Sequence, residues 1–356
     1  MPSEPGKRLI HDPQGWNTGC WPMRPDQFIT PSDDFYTRSH APTPSIDPHH
    51  WRLDLDGLVR RRCSFSLADL QRFPRHEVTA TLVCAGLRRD ELMALRPSVG
   101  ELPWGAEPVG TGRWAGHRLR DLLADTGVAP QASHVEFTGG DQAERDGRRF
   151  GFGASIDLAK ALSPEVLLAT ELNGAPLSPE HGFPLRAIVP GWIGARSVKW
   201  LSRITLLAAP SNNYFQARAY RVQREVNPDN PRDVSAGIAL TSVPINSVIL
   251  QPTAGDALAA GLVRVRGWAM GSGGTALDRI ELSVDDNPWT DARLGDPVPW
   301  SWTLWQSEVR LEPGRHTLTG RATDCAGNTQ PPSVDETWNV KGYANNAWHR
   351  VTITVT

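Results

Sequence analysis

The stretch EVTATLVCAGLRRD, residues 77–90, combines a strand pattern with a cysteine and two arginines. Its β-branched and aliphatic residues predict a strand, and Gly86 after them predicts an abrupt turn. Guanidinium groups beside a cysteine favour the thiolate, which is the form that binds a metal or attacks an electrophile. The segment therefore predicts a reactive Cys84 at the end of a strand. A buried cysteine flanked by surface arginines is the alternative that these residues alone leave open.

The composition of the chain limits the classes of function. Its 356 residues correspond to two domains of ordinary size. The 37 lysines and arginines nearly balance the 39 aspartates and glutamates, and a net charge of −2 argues against binding nucleic acid or an anionic membrane through bulk charge. No apolar stretch reaches the roughly 18 residues of a membrane span. The four cysteines form no CxxC pair, so neither a disulfide framework nor a zinc finger is predicted.

Strands and short helices alternate through the first two thirds of the chain. Helices are predicted at residues 66–73, 119–124 and 154–162, with Ser66 as the N-cap of the first. Strand patterns occupy residues 135–141 and 198–207. This mixture, preceded by an irregular N-terminal arm, predicts an α+β domain.

The pattern changes after the turn-rich sequence NPDNP at residues 227–231. Short alternating strands follow, such as VRVR at 263–266, IELSV at 280–284 and VTITV at 351–355. Strands at this spacing without helices predict a β-sandwich of roughly 110 residues. The predicted domains are residues 1–240 and 241–356.

Other segments of the first domain concentrate positive charge around proline- or glycine-rich loops. Their cationic residues and histidines are Arg38, His40, His181, Arg186, Arg196 and Lys199. Arginine and lysine beside exposed backbone N–H groups suit a phosphate or another oxyanion. Each segment alone is also compatible with a solvated loop. Taken with Cys84, they predict a cysteine next to an anion pocket.

From about residue 33 to its end, the chain resembles the sulfite oxidase family of molybdenum enzymes. The matching segments, in order, are FYTRSH (35–40), WRL (51–53), VCAGLRR (83–89), RWAG (113–116), FGAS (152–155), HGFPLR (181–186), PGWIGARSVKW (190–200), WNVKG (338–342) and NAWHRV (346–351). The resemblance implies a mixed α/β molybdopterin-binding domain with an N-terminal arm at 1–240. An all-β, immunoglobulin-like dimerisation domain would follow at 241–356.

The resemblance also implies that Cys84 is the single protein ligand of molybdenum, whose other sulfur ligands come from the molybdopterin dithiolene. One molybdopterin is expected per chain, and no haem is expected. The residues implied to hold the pterin and its phosphate are Tyr36, Thr37, Arg38, Ser39, His40, Asp141, His181, Arg186, Arg196, Ser197, Val198 and Lys199. For Asp141, a turn residue after a strand is the alternative.

The implied substrate pocket uses Arg38, Arg89, Trp104 and Tyr220, because converging guanidinium groups suit a small oxyanion such as sulfite. Tyr220 is expected to donate its hydroxyl, and Trp104 to form a wall. A tyrosine at a domain boundary and a core tryptophan are the alternatives. The family's second-domain arginine falls on Lys341, which keeps the charge but loses the bidentate fork. We therefore expect either a weaker affinity for the anion or a different preferred anion.

The function that the resemblance implies is molybdenum-dependent oxidation of sulfite to sulfate by oxo transfer, in a haem-free enzyme of bacterial type. Electrons are expected to pass to an external acceptor, either a cytochrome c-like protein or dioxygen. The second hypothesis is a related enzyme acting on another small oxyanion such as nitrate, and the third is a binding protein without the metal. A homodimer through the C-terminal domain and a cytoplasmic location are expected, with neither nucleic acid nor membrane as a partner.

Overall fold

The computed structural model describes residues 8–9, 19–20, 23–98, 100–145 and 147–356. Its strands in the first domain are β1 Arg8–Leu9, β2 Gly19–Cys20, β3 Leu53–Gly57, β4 Cys63–Phe65, β5 Arg75–Val83, β6 Val109–Arg118, β7 His134–Gly139, β8 Ala143–Arg145, β9 Arg148–Phe150, β10 Gly153–Asp157, β11 Leu167–Leu172, β12 Ala175–Pro176, β13 Arg186–Ile188, β14 Leu201–Leu207, β15 Arg221–Val222 and β16 Ile238–Ala239. Those that follow are β17 Asn246–Gln251, β18 Ala257–Leu258, β19 Gly261–Met270, β20 Leu277–Val284, β21 Thr290–Asp291, β22 Arg293–Leu294, β23 Thr303–Leu311, β24 Gly314–Asp324 and β25 His349–Val355.

The helices are short. The α-helices are α1 Leu67–Leu70, α2 Arg89–Leu95, α3 Leu119–Thr126, α4 Leu158–Ala161 and α5 Tyr214–Ala217. Single 3₁₀ turns lie at Ser32–Asp34, Pro179–His181, Gly194–Arg196, Ser272–Gly274 and Val334–Thr337. In the part of the chain that the structure describes, no helix has the length and apolar character needed to span a bilayer.

Two sheets form the scaffold of the first domain. One is mixed, with the strand order β10-β7-β14-β3-β4, in which β14 and β3 run parallel. The other is antiparallel, with the order β12-β11-β6-β5 and with β13 paired to β11. In its register Val83, at the end of β5, lies opposite Val109, at the start of β6. Because β5 is the last strand in this order, the strand that leads into Cys84 lies at the edge of the sheet.

The core of the mixed sheet packs against helix α3. Leu119, Leu122 and Leu123 lie at positions i, i+3 and i+4 of this helix, and share a hydrophobic cluster with Ile204 and Leu206 of β14. All five side chains are completely buried. Each contributes roughly 2 kcal/mol of transfer free energy, so burial of these side chains stabilises the packing of α3 on the mixed sheet.

Local capping decides where the short helices begin. Ser66 and Asp69 form a capping box at α1, as the sequence predicts. The prediction of a helix at 154–162 is wrong for its first part, because Gly153–Asp157 forms strand β10 and pairs with β7. The Asp157 carboxylate accepts a hydrogen bond from Lys160 N at 2.7 Å, so helix α4 starts only after this residue.

Two further sheets form the second domain, with the orders β17-β19-β23-β22 and β18-β25-β24-β20-β21. Val263 and Val265 of β19 enter a core shared with Ile280 of the other sheet, whereas Arg264 between them is exposed. This β-rich arrangement agrees with the predicted sandwich. Its immunoglobulin-like character and the boundary between residues 240 and 241 stay predictions.

The second domain covers the outer edge of β5. Thr81 N donates to Trp300 O at 3.0 Å, and Thr81 Oγ1 accepts from Trp302 N at 2.8 Å. An edge strand otherwise exposes unpaired backbone groups. Val83 and Trp268 also belong to one buried cluster that contains residues of both domains. The strand that leads into the predicted site is therefore held from both sides.

Candidate active site

Cys84 follows β5 directly and begins the turn into α2. Leu87 N donates to Cys84 O at 3.0 Å, and Arg89 N donates to Gly86 O at 3.1 Å. A Cβ at position 86 would lie 2.5 Å from Arg89 Nη2, so a larger residue there would have to displace this guanidinium. Burial raises the pKa of the Cys84 thiol, and the positive charges of Arg89 and Arg38 oppose that rise. The turn thus sets a soft sulfur donor beside guanidinium groups.

The two arginines of this turn have different contacts. Arg88 has a left-handed backbone with φ 56°, and its completely buried guanidinium donates to Asn246 Oδ1 at 3.0 Å and Ala347 O at 2.7 Å, both in the second domain. It also donates to Glu91 at 2.7 Å. Arg88 therefore joins the two domains. Arg89 also reaches the second domain, where its Nε donates to Lys341 O, and its charge acts on the Cys84 thiol.

A cavity, here called the main cavity, opens next to the Cys84 side chain. Most of the residues predicted from the sequence line it, namely Tyr36, Thr37, Arg38, Ser39, His40, Cys84, Asp141, His181, Arg186, Ser197, Val198, Lys199 and Tyr220. The fold thus brings together loops that are far apart in the chain, as the segments predicted.

Buried cations occupy part of this wall. Desolvation is the main cause that lowers the pKa of Arg186 to about 10 and that of Lys199 to about 7, and the charge of Arg186 adds to the effect on Lys199. Lys199 Nζ donates to Ser39 Oγ at 2.8 Å and to Glu180 O at 2.9 Å, both of which are uncharged acceptors. A bound anion would therefore stabilise the charged form of both residues.

His181 presents an acceptor. Its Nε2 lies 2.9 Å from Ser32 O, which can only accept, so we assign the ring proton to Nε2. Burial is the main cause that lowers the pKa of His181 to about 4, and the charge of Arg186 contributes. The ring is therefore neutral near pH 7, with a lone pair on Nδ1.

Two buried polar atoms of lining residues have no partner among the described residues. Asp141 Oδ1 accepts from Phe152 N at 2.9 Å, but Oδ2 is unpaired. Arg186 donates through Nη1 and Nη2 to the His181 and Ser197 carbonyl oxygens at 2.9 and 3.1 Å, but Nε is unpaired. Buried polar groups are nearly always hydrogen-bonded. A ligand with donors, acceptors and negative charge, such as the predicted molybdopterin, fits this wall.

Tyr220 reaches the cavity with its hydroxyl oriented by His40. His40 Nε2 lies 2.8 Å from Tyr220 Oη, and Arg145 Nη2 donates to His40 Nδ1 at 3.4 Å. Because arginine has no acceptor, Nδ1 must accept and the ring proton lies on Nε2, which donates to Tyr220. Burial and the charge of Arg38 hold the pKa of His40 well below its usual value. The Tyr220 hydroxyl hydrogen is then left to donate into the cavity.

A wider recess, here called the outer chamber, adjoins the main cavity. The residues of this chamber that bear on the argument are Arg38, His40, Glu101, Arg145, Lys341 and Tyr343. Arg38 and His40 line both spaces, so the chamber and the main cavity are direct neighbours. Lys341 Nζ donates to Glu101 Oε1 at 3.0 Å, and Arg89 Nη2 lies 3.7 Å from Glu101 Oε2.

The remaining predicted residues lie outside the wall of the main cavity, and they are Arg89, Trp104, Arg196 and Lys341. Trp104 is completely buried and packs against Cys84. Arg196 donates through Nη2 to Leu240 O at 2.7 Å, behind the cavity wall. Arg89 donates to the carbonyl oxygens of Lys341 and Leu102, each at 2.9 Å. Lys341 lies on the predicted substrate side, but it is paired with a carboxylate.

Sequence reasoning missed Glu101, Arg145 and Tyr343. Glu101 lies three residues before the predicted Trp104, and Tyr343 lies two residues after Lys341, so nearness to predicted residues is the signal that could have found them. Arg145 lies in the β8–β9 hairpin, and no pattern in the sequence pointed to it.

Comparisons with known proteins give relatives along most of the chain. Residues 40–215 match the oxidoreductase molybdopterin binding domain, and residues 238–356 match the Mo-co oxidoreductase dimerisation domain. The chain is 41% identical over 338 residues to the sulfite oxidase of Gallus gallus, covering 91% of this chain and 73% of that protein. It is 40% identical over 341 residues to the mitochondrial sulfite oxidase of Mus musculus, covering 92% of this chain and 62% of that protein.

The fold is also similar to that of a solved enzyme. The crystal structure of the sulfane dehydrogenase SoxCD from Paracoccus pantotrophus matches with a TM-score of 0.79 and 26% sequence identity, covering 97% of this chain and 86% of that one. The fold and the site define an oxidoreductase with a molybdopterin-binding domain. The chain belongs to the sulfite oxidase family, and it spans less than two thirds of the mouse protein's length. These findings confirm the predicted family and fold class.

Proposed function

We propose that this protein oxidises sulfite to sulfate with a molybdenum–molybdopterin cofactor. The observation that carries the proposal is the Cys84 thiol at the wall of a cavity that also holds Arg38, Lys199 and Tyr220. A soft thiolate suits such a metal, and the cations suit an anionic cofactor and an anionic substrate. The overall reaction converts sulfite and water to sulfate, with release of two protons and two electrons.

The residues of the main cavity would hold the cofactor. Cys84 would bind the metal, Asp141 Oδ2 and His181 Nδ1 would accept hydrogen bonds from the pterin, and Arg186 and Lys199 would bind negative charge. When bound, this group supplies oxygen-atom transfer and a reservoir for two electrons. The protein's part is to fix the orientation of the cofactor, to limit access of water and to present charge.

The substrate would enter from the outer chamber and stop between Arg38 and Tyr220. Arg38 lines both spaces, and its guanidinium would donate to the oxygens of sulfite. The Tyr220 oxygen accepts a hydrogen bond from His40 Nε2, so the Tyr220 hydroxyl would donate a second hydrogen bond to the substrate. These two groups would orient the anion in the main cavity.

The electron acceptor, the assembly and the location extend this proposal. We infer an external acceptor, either a cytochrome c-like protein or dioxygen, and a chain without haem. The match of residues 238–356 to a dimerisation domain supports a homodimer. The cytoplasmic location stays a prediction, and fractionation of the native cell tests it.

Metal and pterin analysis tests the proposal directly. Protein made in a host that supplies the cofactor should contain about one molybdenum and one molybdopterin per chain, and should reduce ferricyanide or cytochrome c in the presence of sulfite. Purified protein that lacks both molybdenum and pterin overturns the enzyme assignment. A preparation that turns over nitrate but not sulfite supports the alternative oxyanion.

Cys84→Ser is the matched variant, because serine keeps the size of the side chain and removes the soft donor. We expect loss of sulfite turnover with a melting temperature of the cofactor-free protein within a few degrees of that of the parent. Full activity in this variant contradicts the assignment of Cys84 as the metal ligand. Cys63→Ser is the control, since Cys63 lies in β4, away from the cavity.

A further inference from the structure

We propose that Glu101 is a specificity-determining residue that lowers the affinity of the site for doubly charged oxyanions, above all for the sulfate product. The inference rests on the proposed function and deepens it. Its physical basis is the position of one carboxylate, which lines the outer chamber beside the main cavity, between two cations.

The contacts of Glu101 show how its charge is used. Its Oε1 accepts from Lys341 Nζ at 3.0 Å, and its Oε2 lies 3.7 Å from Arg89 Nη2. The side chains of Glu101 and Lys341 are 16% and 14% exposed, and that of Arg89 is 4% exposed, so water screens these charges only in part. Neither cation can therefore offer its full charge to a substrate anion.

The donors of Arg89 are also largely occupied. Its Nε donates to the carbonyl oxygens of Lys341 and Gly342 at 2.9 and 3.1 Å, and its Nη1 donates to Leu102 O at 2.9 Å. Burial is the main cause that raises the pKa of Tyr220, and the negative charge of Glu101 contributes, so Glu101 also acts on the main cavity. One carboxylate thus lowers the positive potential along the path from the outer chamber to the Cys84 side chain.

Charge arithmetic makes the proposal quantitative. Removing one negative charge changes the Coulomb energy of a doubly charged anion twice as much as that of a singly charged anion at the same place. For separations on the order of 10 Å and an effective dielectric constant of about 50, Coulomb's law gives about tenfold tighter binding of a double charge and about threefold tighter binding of a single charge. The ratio of the two effects is characteristic of charge and is not expected from a change in shape.

The experiment compares sulfate with chloride on the cofactor-loaded protein. Glu101→Gln should lower the dissociation constants measured by calorimetry, about tenfold for sulfate and about threefold for chloride. The KM for sulfite should fall together with the dissociation constant of sulfate. The kcat should not rise, because the product leaves more slowly. Asp233→Asn is the matched control, since Asp233 borders the same chamber but its Oδ1 accepts from Ser235 N and not from a cation, and it should change sulfate binding less than twofold.

A charge-restoring pair keeps the test decisive even if Glu101→Gln folds poorly. Lys341→Gln leaves Glu101 without its nearest cation and should weaken sulfate binding about tenfold. The double variant Glu101→Gln/Lys341→Gln removes one charge of each sign and should return the sulfate dissociation constant to within about threefold of the parent value.

The outcomes separate this inference from the proposed function. If the parent protein oxidises sulfite but Glu101→Gln changes sulfate and chloride binding equally, or neither by more than twofold, the inference is wrong and the function stands. If the parent oxidises no sulfite, the proposed function fails, and the calorimetric ratio of sulfate to chloride still decides whether Glu101 sets the charge preference.

Discussion

Replacing Tyr220 with phenylalanine removes one hydroxyl from the wall of the main cavity and leaves the ring. The Tyr220 ring stacks on Tyr343 with a centroid distance of 5.4 Å and an interplanar angle of 14°, so the phenylalanine should keep its position. What disappears is the acceptor for His40 Nε2, which lies 2.8 Å from the hydroxyl oxygen, and the donor toward the cavity. The two losses have separable effects.

The donor acts on catalysis, and the acceptor acts on stability. A hydrogen bond to a charged group is worth about 1.5–3 kcal/mol, so kcat/KM for sulfite should fall roughly 10- to 150-fold. The unpaired His40 N–H exists in both the free and the substrate-bound protein, so it should not add to the kinetic effect. It should lower the free energy of unfolding by about 1–3 kcal/mol.

Steady-state kinetics with sulfite and thermal unfolding measure the two effects on the same preparations, after correction for molybdenum content. Tyr343→Phe is the control, since it deletes the same atom from the neighbouring ring, which does not line the main cavity. Its kcat/KM should stay within about threefold of the parent value. A Tyr220→Phe protein with full molybdenum and a kcat/KM within threefold of the parent would refute the assigned hydrogen-bond direction.

Three other predictions follow from the same contacts. Asp141→Asn should reduce the pterin released per chain at least fivefold. The amide must turn its oxygen to Phe152 N, and its NH₂ group then lies where Oδ2 would accept a hydrogen bond from the pterin. Unchanged pterin fluorescence contradicts this. Arg88→Met should lower the free energy of unfolding by about 3 kcal/mol, because it breaks a buried ion pair. Arg264→Met breaks an exposed ion pair and should lower it by less than about 0.5 kcal/mol. Equal losses in denaturant titrations would be inconsistent with this contrast. Because the pKa of Lys199 is lowered to about 7, its positive charge is present below that pH and lost above it. Sulfate binding to cofactor-free protein should weaken roughly fivefold from pH 7 to pH 8, and calorimetry of Lys199→Met should show no such loss.

The parts of the fold that the sequence predicts well are those with short-range causes. The strand before Cys84, the capping box at Ser66 and the alternation at residues 263–266 each depend on residues within a few positions of one another. The prediction of a helix at 154–162 is wrong for its first part, and the reason is the opposite one. Its short apolar pattern is compatible with a helix or a strand, and pairing with β7 decides between them.

The same distinction between short-range and long-range causes applies to the site. The lining residues could be predicted because they occur in contiguous segments, whereas their pairings depend on contacts across the fold. His40 and Tyr220 are 180 positions apart, and Glu101 and Lys341 are 240 positions apart. No local pattern distinguishes Arg88 from Arg89, because the difference lies in the distant groups that each guanidinium contacts. These are Asn246 and Ala347 for Arg88, and Leu102 and Lys341 for Arg89.

The distribution of charge explains why both domains hold the strand that leads into Cys84. Arg186 and Lys199 are charged groups whose pKa values are lowered chiefly by burial, so the main cavity without an anion destabilises the folded chain. The edge contacts at Thr81 and the Arg88 network lie outside that cavity and offset this cost. An anionic cofactor that binds only the folded state then adds its binding free energy to stability. Rigidity at Cys84 therefore comes from the domain interface, and the charge of the cavity is left to select what binds there.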